Sequence, residues 1–372
     1  MELFKEFEKR VLWGVLVVFL LLPMIMKVNI SLQLLANSVA CVALGAIYSI
    51  SIIKGGLRSR ASGKDDEVMQ MSDALKFPIQ ASFALIVLYV LFSNVDNNLL
   101  LLIFKINFGL LGTTCIGTFV HERVHLLFPQ LQDGIIVDKK LKILGDEVHI
   151  HLTIHNIVSF GIGGAISLLY IITDHWSLNN ILGIAFTIAG IMLIKISNFK
   201  IVIILLWILF FYDIFWVFGS DVMVTVATKF DVPIKLKFPN AEGKYSILGL
   251  GDMVIPGLLL ALALKFDVDQ FLDQVRGKNQ STSADKQSSA EPPAVKPIDD
   301  IPTPVFKGAL IGYALGIILT MAGMTLMKHA QPALLYLVPT CSLGVLIPVI
   351  MEKKFKLFWT YDAEKEEKAK DN

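Results

Sequence analysis

Apolar residues run through this chain in long blocks, separated by short polar stretches that carry most of the charge. A helix crossing a bilayer needs about 20 mostly apolar residues. Nine blocks meet that length: 33–53, 77–95, 99–120, 156–173, 180–197, 201–219, 246–266, 306–327 and 332–350. A further apolar stretch, 11–26, follows a charged start with Lys5, Lys9 and Arg10. It has the charge and length of a signal sequence, but no small-residue cleavage site follows Leu20-Leu21-Leu22-Pro23. It is expected to remain on the chain as a tenth span or an interfacial hairpin. Strand-like alternation is scarce, so the pattern predicts an all-α polytopic transmembrane helical bundle rather than a β-barrel. No internal repeat has a clear period, which leaves an inverted-repeat transporter without positive support.

Composition agrees with that reading. Of 372 residues, 55% are hydrophobic and 17% charged, and mean hydropathy is +0.65. The 33 basic and 32 acidic residues nearly cancel, so no nucleic-acid partner is expected. Cys41, Cys115 and Cys341 all lie in apolar blocks, which speaks against a disulfide framework or a cysteine zinc site. The distribution of charge says more than its total. If 54–76 faces the cytosol, so do 121–155, 198–200, 267–305 and 351–372, and together these hold twenty Lys and Arg. The opposite loops hold five: Lys229, Lys235, Lys237, Lys244 and Lys328. The positive-inside rule then makes loop 220–245 luminal and the tail cytosolic.

In chain order the expected parts are four. Residues 1–32 form the charged start and apolar segment, and 33–197 a five-span bundle with the cytosolic loop 121–155. Residues 198–350 form a four-span half, and 351–372 a charged, loosely held tail. Within the four-span half, 277–305 is rich in Ser, Pro and Gln and reads as a disordered cytosolic linker.

Two acids break the apolar pattern. Asp213 lies in ILFFYDIFWVFG and Asp252 in SILGLGDMVIPG. An acid at a helix centre costs roughly 2.5–3.5 kcal/mol on insertion scales and is a functional candidate by default. Asp213 is six residues before the luminal end of its span at 219, and Asp252 six after the luminal start at 246. In antiparallel helices both would sit about 9 Å below one face, at 1.5 Å per residue. Two such carboxyls do not both ionise cheaply. One would take a proton from water while the other donates to a scissile carbonyl. The plainer readings are an interhelical hydrogen-bonded pair, or a proton or sodium site in a transporter. Gly249 and Gly251 leave room for another backbone beside Asp252. Pro256 deprives the Asp252 carbonyl of its helical donor, so an extended substrate strand would find space and unpaired backbone groups there.

Three motifs now stand in order: Tyr212-Asp213, then Gly249-Leu250-Gly251-Asp252, then Gln331-Pro332-Ala333-Leu334 running on to Pro339. In these the chain resembles the signal peptide peptidase family, presenilin-type intramembrane aspartic proteases. The resemblance extends through 212–239 and 175–186, and covers most of the chain from about residue 77, apart from loops 121–155 and 277–305. It implies that Asp213 and Asp252 are the catalytic pair and that no cofactor or metal is needed. Tyr212, Gly249, Leu250, Gly251, Gln331, Pro332, Ala333 and Leu334 would line the active site or receive substrate. The implied substrates are membrane-spanning helices with a cytosolic N-terminus, chiefly signal peptides left after signal peptidase, cut within the bilayer. A homo-oligomer and quality-control proteins of the endoplasmic reticulum are further partner candidates. A Golgi or endosomal relative, a transporter and a membrane chaperone are the alternatives.

Other signals compete. His121-Glu122-Arg123-Val124-His125 fits the His-Glu-x-x-His pattern of zinc peptidases, with His149, His151 and His155 as third-ligand candidates. It sits at the edge of a span near an expected helix end, and a chance match is the preferred reading. Lys105, inside the third span, either snorkels to the interface or lies near the acids. Lys195 lies at the end of its span and needs no special role. Tyr361-Asp362 repeats the first motif in a hydrophilic tail and is set aside. Asn29-Ile30-Ser31 is expected on the luminal side and Asn279-Gln280-Ser281 on the cytosolic side. Lys368 to Asn372 resembles a KxKxx retrieval signal, which together with the short stretch before the first span favours the endoplasmic reticulum.

Overall fold

The fold was taken from a computed structural model of the chain. It describes residues 12–18, 29–60, 68–94, 97–127, 135–143, 146–220, 222, 226, 229–239, 245–283, 301–327 and 331–363. At 51–60, 97, 122–127, 135–143, 146–152 and 275–283 only the backbone is described.

Helices dominate, as the apolar blocks predict. They are α1 (Ile30–Arg60), α2 (Met71–Asn94), α3 (Asn97–Leu127), α4 (Ile154–Thr173) and α5 (Trp176–Leu193). After them come α6 (Phe199–Gly219), α7 (Gly251–Ser283), α8 (Pro304–Met327), α9 (Leu334–Met351) and the short α10 (Phe355–Thr360). Among the described residues, eight helices are long and apolar enough to cross a membrane. The remaining expected span falls in α7, whose apolar run is broken by Asp252, Lys265 and Asp267. The chain is an all-α polytopic membrane protein.

Four expectations change. The block beginning at 246 opens as a strand: β4 (Tyr245–Gly249) pairs antiparallel with β3 (Lys235–Pro239), and α7 starts only at Gly251. A five-residue apolar run does not by itself separate strand from helix, and the pairing with β3 decides it. The loop 121–155 is largely structured. Helix α3 continues to Leu127, and β1 (Ile135–Ile143) and β2 (Asp146–Thr153) form an antiparallel hairpin. The linker is shorter than 277–305, because α7 continues to Ser283 and Ile301 and Val305 are buried. The tail is not loose at its start, where Phe358, Tyr361 and Ala363 are buried. Of the stretch 11–26, residues 12–18 are helical; Leu16 is buried and Trp13 Nε1 donates to Tyr48 Oη at 3.2 Å. Residues 19–26, the linker's 284–300 and the ending 368–372 lie outside the described residues.

The chain forms two compact units. The first holds residues 1–90, 190–227 and 251–372. In it α7 packs against α1, α6, α8 and α9. The closest pair is α8 with α9, and small residues allow the approach. Gly308, Gly312 and Gly316 recur every four residues and so share one face of α8. A Cβ on Gly308 would collide with the Gly344 carbonyl, and one on Gly312 with the Thr340 carbonyl. Membrane helices lack a hydrophobic drive to associate with one another, so such backbone approach supplies the packing.

The second unit holds 91–189 and 228–250. Helices α3 and α4 pack along their lengths, with Gly163 against the Thr113 carbonyl. Asp174 ends α4 in the left-handed region, φ 50°, and binds Lys105 Nζ at 2.7 Å. Lys105 therefore has a carboxylate partner at the end of α4. Strand β3 is held by two amides of α5. Asn179 Nδ2 donates to Lys235 O, and Asn180 exchanges a pair of bonds with Lys237 N and O, all at 2.8 Å. Asp231 pairs with Lys237 and, at 3.6 Å, with Lys235.

Two predictions follow from this packing. Gly312→Val should destabilise the protein by about 1–3 kcal/mol, whereas Gly161→Ala, with open space around it, should be neutral or stabilising; unfolding in detergent measures both. The second concerns pH. Burial raises the Asp231 pKa, but the hydrogen bond from Lys237 and the charges of Lys237, Lys235 and Lys105 outweigh it and hold the pKa below the usual carboxylate value. Such a group stabilises the fold above its unfolded pKa of about 3.9, and that stability is lost as pH falls through the folded value. The difference in melting temperature between the wild type and Asp231→Asn should therefore be full at pH 7 and shrink below about pH 4. A difference that persists undiminished at pH 3 would contradict it.

Candidate active site

Helix α6 is apolar on every side apart from its Asn198 cap, Lys200 and the Tyr212-Asp213 pair. Asp213 is 6% exposed, so its carboxyl must find partners inside the protein. It finds one at the start of α9. Pro332 has no backbone N–H, and Ala333 caps the helix with no side-chain bond. The turn then closes through Leu335 N to Pro332 O at 3.2 Å and Tyr336 N to Ala333 O at 3.1 Å. The N–H of Leu334, first residue of α9, is one of the donors that a helix start leaves without an internal acceptor. It donates to Asp213 Oδ2 at 3.4 Å. Pro332, Ala333 and Leu334 are buried and Gln331 is half-buried. The structure thus joins two segments that are 121 positions apart in the chain.

Asp252 is the second residue of α7 and is half-buried. The expected equal depth rested on counting helical rise from 246. That count fails, because 245–249 is strand, which rises roughly 3.3 Å per residue and not 1.5 Å. What the structure supplies instead is packing of α6 against α7 and of α9 against both. Gly249 pairs with Lys235 at the end of the hairpin, and Leu250 N donates to Ile234 O at 3.0 Å. Gly251 has nothing within 4 Å of the place a Cβ would occupy. Among the described residues, then, no backbone makes the close approach expected there, and the space is open.

Tyr212 shares a hydrogen bond with Ser82 of α2, and its ring lies 6.2 Å from Trp216. Tyr313 of α8 is fully buried and lies close enough to Asp252 for the two to interact electrostatically. Neither Ser82 nor Tyr313 stands out in the sequence, since each is one polar group in an apolar helix with no motif around it. The rival zinc pattern gains little. His121 meets His155 edge-on, with ring centroids 6.3 Å apart, but no group of three possible metal ligands occurs among the described residues. The side chains of Glu122, His125, His149 and His151 lie outside them.

Comparison with known proteins supplies the kind of molecule. The sequence model of the signal peptide peptidase family matches residues 61–365, a span that includes both acids and the 331–334 segment. Signal peptide peptidase of Mus musculus is 33% identical over 321 residues, covering 83% of this chain and 76% of that protein. The Homo sapiens protein of the same name is also 33% identical, covering 83% and 77%. Intramembrane protease 2 of Caenorhabditis elegans is 35% identical over 241 residues, covering 63% and 48%. With the match running through most of both chains, the protein belongs to the signal peptide peptidase family and is an intramembrane protease of multi-pass helical build.

Proposed function

We propose that the protein is an aspartic endopeptidase of the endoplasmic-reticulum membrane. It cleaves membrane-spanning helices whose N-terminus faces the cytosol, chiefly the signal peptides left by signal peptidase. The observation that carries the aspartic reading is the bond from Leu334 N–H to the buried Asp213 carboxyl. A helix start turned toward a carboxyl oxygen orients it and favours negative charge there. A carboxylate has about four acceptor sites, so holding Oδ2 leaves capacity for a water.

The chemistry needs two carboxyls in different states. The ionised one takes a proton from water as the water oxygen bonds to the scissile carbonyl carbon. The neutral one gives its proton to the carbonyl oxygen, producing a gem-diol. On collapse the C–N bond breaks, the carboxyl protonated in the first step gives its proton to the leaving amine, and the ionised one takes a proton from a gem-diol hydroxyl, so both return to their starting states. Open space at Gly251 and the weakened turn at Pro256 support entry of an unwound substrate segment beside Asp252. The lumen-facing placement of loop 220–245 rests on the twenty-to-five distribution of Lys and Arg. The compartment follows from the substrate class, because signal peptides arise where chains are inserted.

Asp213→Asn and Asp252→Asn should each lower cleavage of a signal-peptide reporter by about 10²–10⁴-fold in reconstituted membranes. Retained cleavage in either variant would sink the aspartic reading. Loss of activity with chelators, or with His121→Ala, would favour the zinc alternative; ion flux without proteolysis would favour a transporter. Lys105→Met, which breaks the pair with Asp174 and removes a charge near Asp231, should leave cleavage within about twofold and cost no more than about 1 kcal/mol of stability.

A further inference from the structure

The stretch after α9 has the composition of a solvated tail, yet it contains some of the most deeply buried side chains of its unit. Phe358 is fully buried, and Tyr361 and Ala363 nearly so. Phe358 lies on the ring of Phe199, the first residue of α6, with centroids 4.0 Å apart, and stands edge-on to Phe266 of α7 at 6.1 Å. Tyr361 meets the same two rings, at 5.8 Å from Phe199 and 5.1 Å from Phe266. Phe199 and Phe266 also meet each other edge-on at 5.7 Å. The polar contacts repeat the pattern. Tyr361 Oη donates to Asp269 Oδ2 of α7 at 2.6 Å, and Lys265 Nζ of α7 donates to Ala363 O at 3.4 Å. Ala363 N donates to Ser197 O, just before α6, at 2.8 Å, and Lys200 Nζ lies 5.6 Å from the ring centre of Trp359.

These two grip points are matched in chain distance. Asp213 lies fourteen residues after Phe199, and Asp252 fourteen residues before Phe266. At 1.5 Å per residue each acid stands about 21 Å along its helix from the aromatic cluster. Helices are stiff along their axes, so a slide of α6 against α7 at the cluster is carried to the acids with little loss. Reactions of this kind are sensitive to such slides, since a 1 Å misplacement can cost about a hundredfold in rate.

We infer that residues 355–363 are a register clamp on the two catalytic helices, with Phe358 and Tyr361 as positioning residues. This rests on the reading of Asp213 and Asp252 as a catalytic pair. The clamp acts at the start of α6 and midway along α7, and touches neither substrate nor the reacting atoms. It accounts for the burial of Phe358, Tyr361 and Ala363 near the start of a tail that is charged overall.

The test uses full-length protein in membranes, with Cys41, Cys115 and Cys341 replaced by alanine, and carrying Asp213→Cys with Asp252→Cys. Oxidative cross-linking between the two new thiols reports register without requiring activity. Cross-linking should be efficient with the clamp intact, slowed about tenfold by Phe358→Ala, and largely restored by Phe358→Leu. In parallel, with both acids present, Phe358→Ala and Tyr361→Phe should lower kcat by about tenfold while KM for the reporter changes little. Absence of cross-linking in the intact parent would overturn the paired-acid reading itself. Cross-linking and kcat unchanged in both variants, with only the melting temperature lowered, would overturn the clamp and leave the pair standing. If Phe358→Ala does not fold, Tyr361→Phe decides, because it keeps the ring and removes the bond to Asp269.

Discussion

A carboxyl placed inside an apolar helix has to be given polar partners, and the arrangement around α6 follows from that requirement. Asp213 lies six residues from the end of a helix that offers it no other polar side chain but Tyr212. It accepts from the backbone N–H of Leu334, available because α9 begins there. Helix starts are the one place where a regular backbone has donors to spare. The position of α9 is in turn set by α8, whose glycine face lets the two backbones approach until only hydrogen fits between them. Small residues on one helix thus fix where another begins, and that beginning fixes the orientation of a carboxyl on a third.

The same requirement governs the backbone wherever it leaves the helix. Strand β3 is satisfied on one side by β4 and on the other by the amides of Asn179 and Asn180. An amide that both donates to and accepts from one residue of a strand does the work of a neighbouring strand, so this edge is closed to further pairing. Lys105 and Asp174 give each other a charged partner, the lysine half-buried and the aspartate exposed at the end of α4.

Family membership and geometry contribute different things. Matches to signal peptide peptidases fix the kind of molecule, an intramembrane protease, over most of the chain. Geometry shows which groups meet within it. The 331–334 segment is in contact with Asp213, Tyr212 is held by Ser82, and Lys105 serves Asp174. Among the described residues, none comes within 4 Å of where a Cβ on Gly251 would lie.

Much of this was legible in the sequence. Apolar runs of about twenty residues determine helices in a membrane, because the bilayer leaves the backbone no other partner than itself. The same scarcity of water makes Asp213 conspicuous, so the chemistry could be located before the fold. Motif residues from 212, 249–252 and 331–334 could be named but not joined by spacing, since contact between positions 121 residues apart is a property of packing. The misread parts have separate causes. Residues 245–249 became a strand by pairing with β3, the 121–155 loop holds a hairpin whose strands pair with each other, and Phe358 and Tyr361 are buried against rings of α6 and α7. Sequence alone determined which segments are helical and which acids are costly. Tertiary structure decided which donors those acids receive and where polar segments are buried, because hydrogen bonds and aromatic contacts depend on distances that the order of residues does not contain.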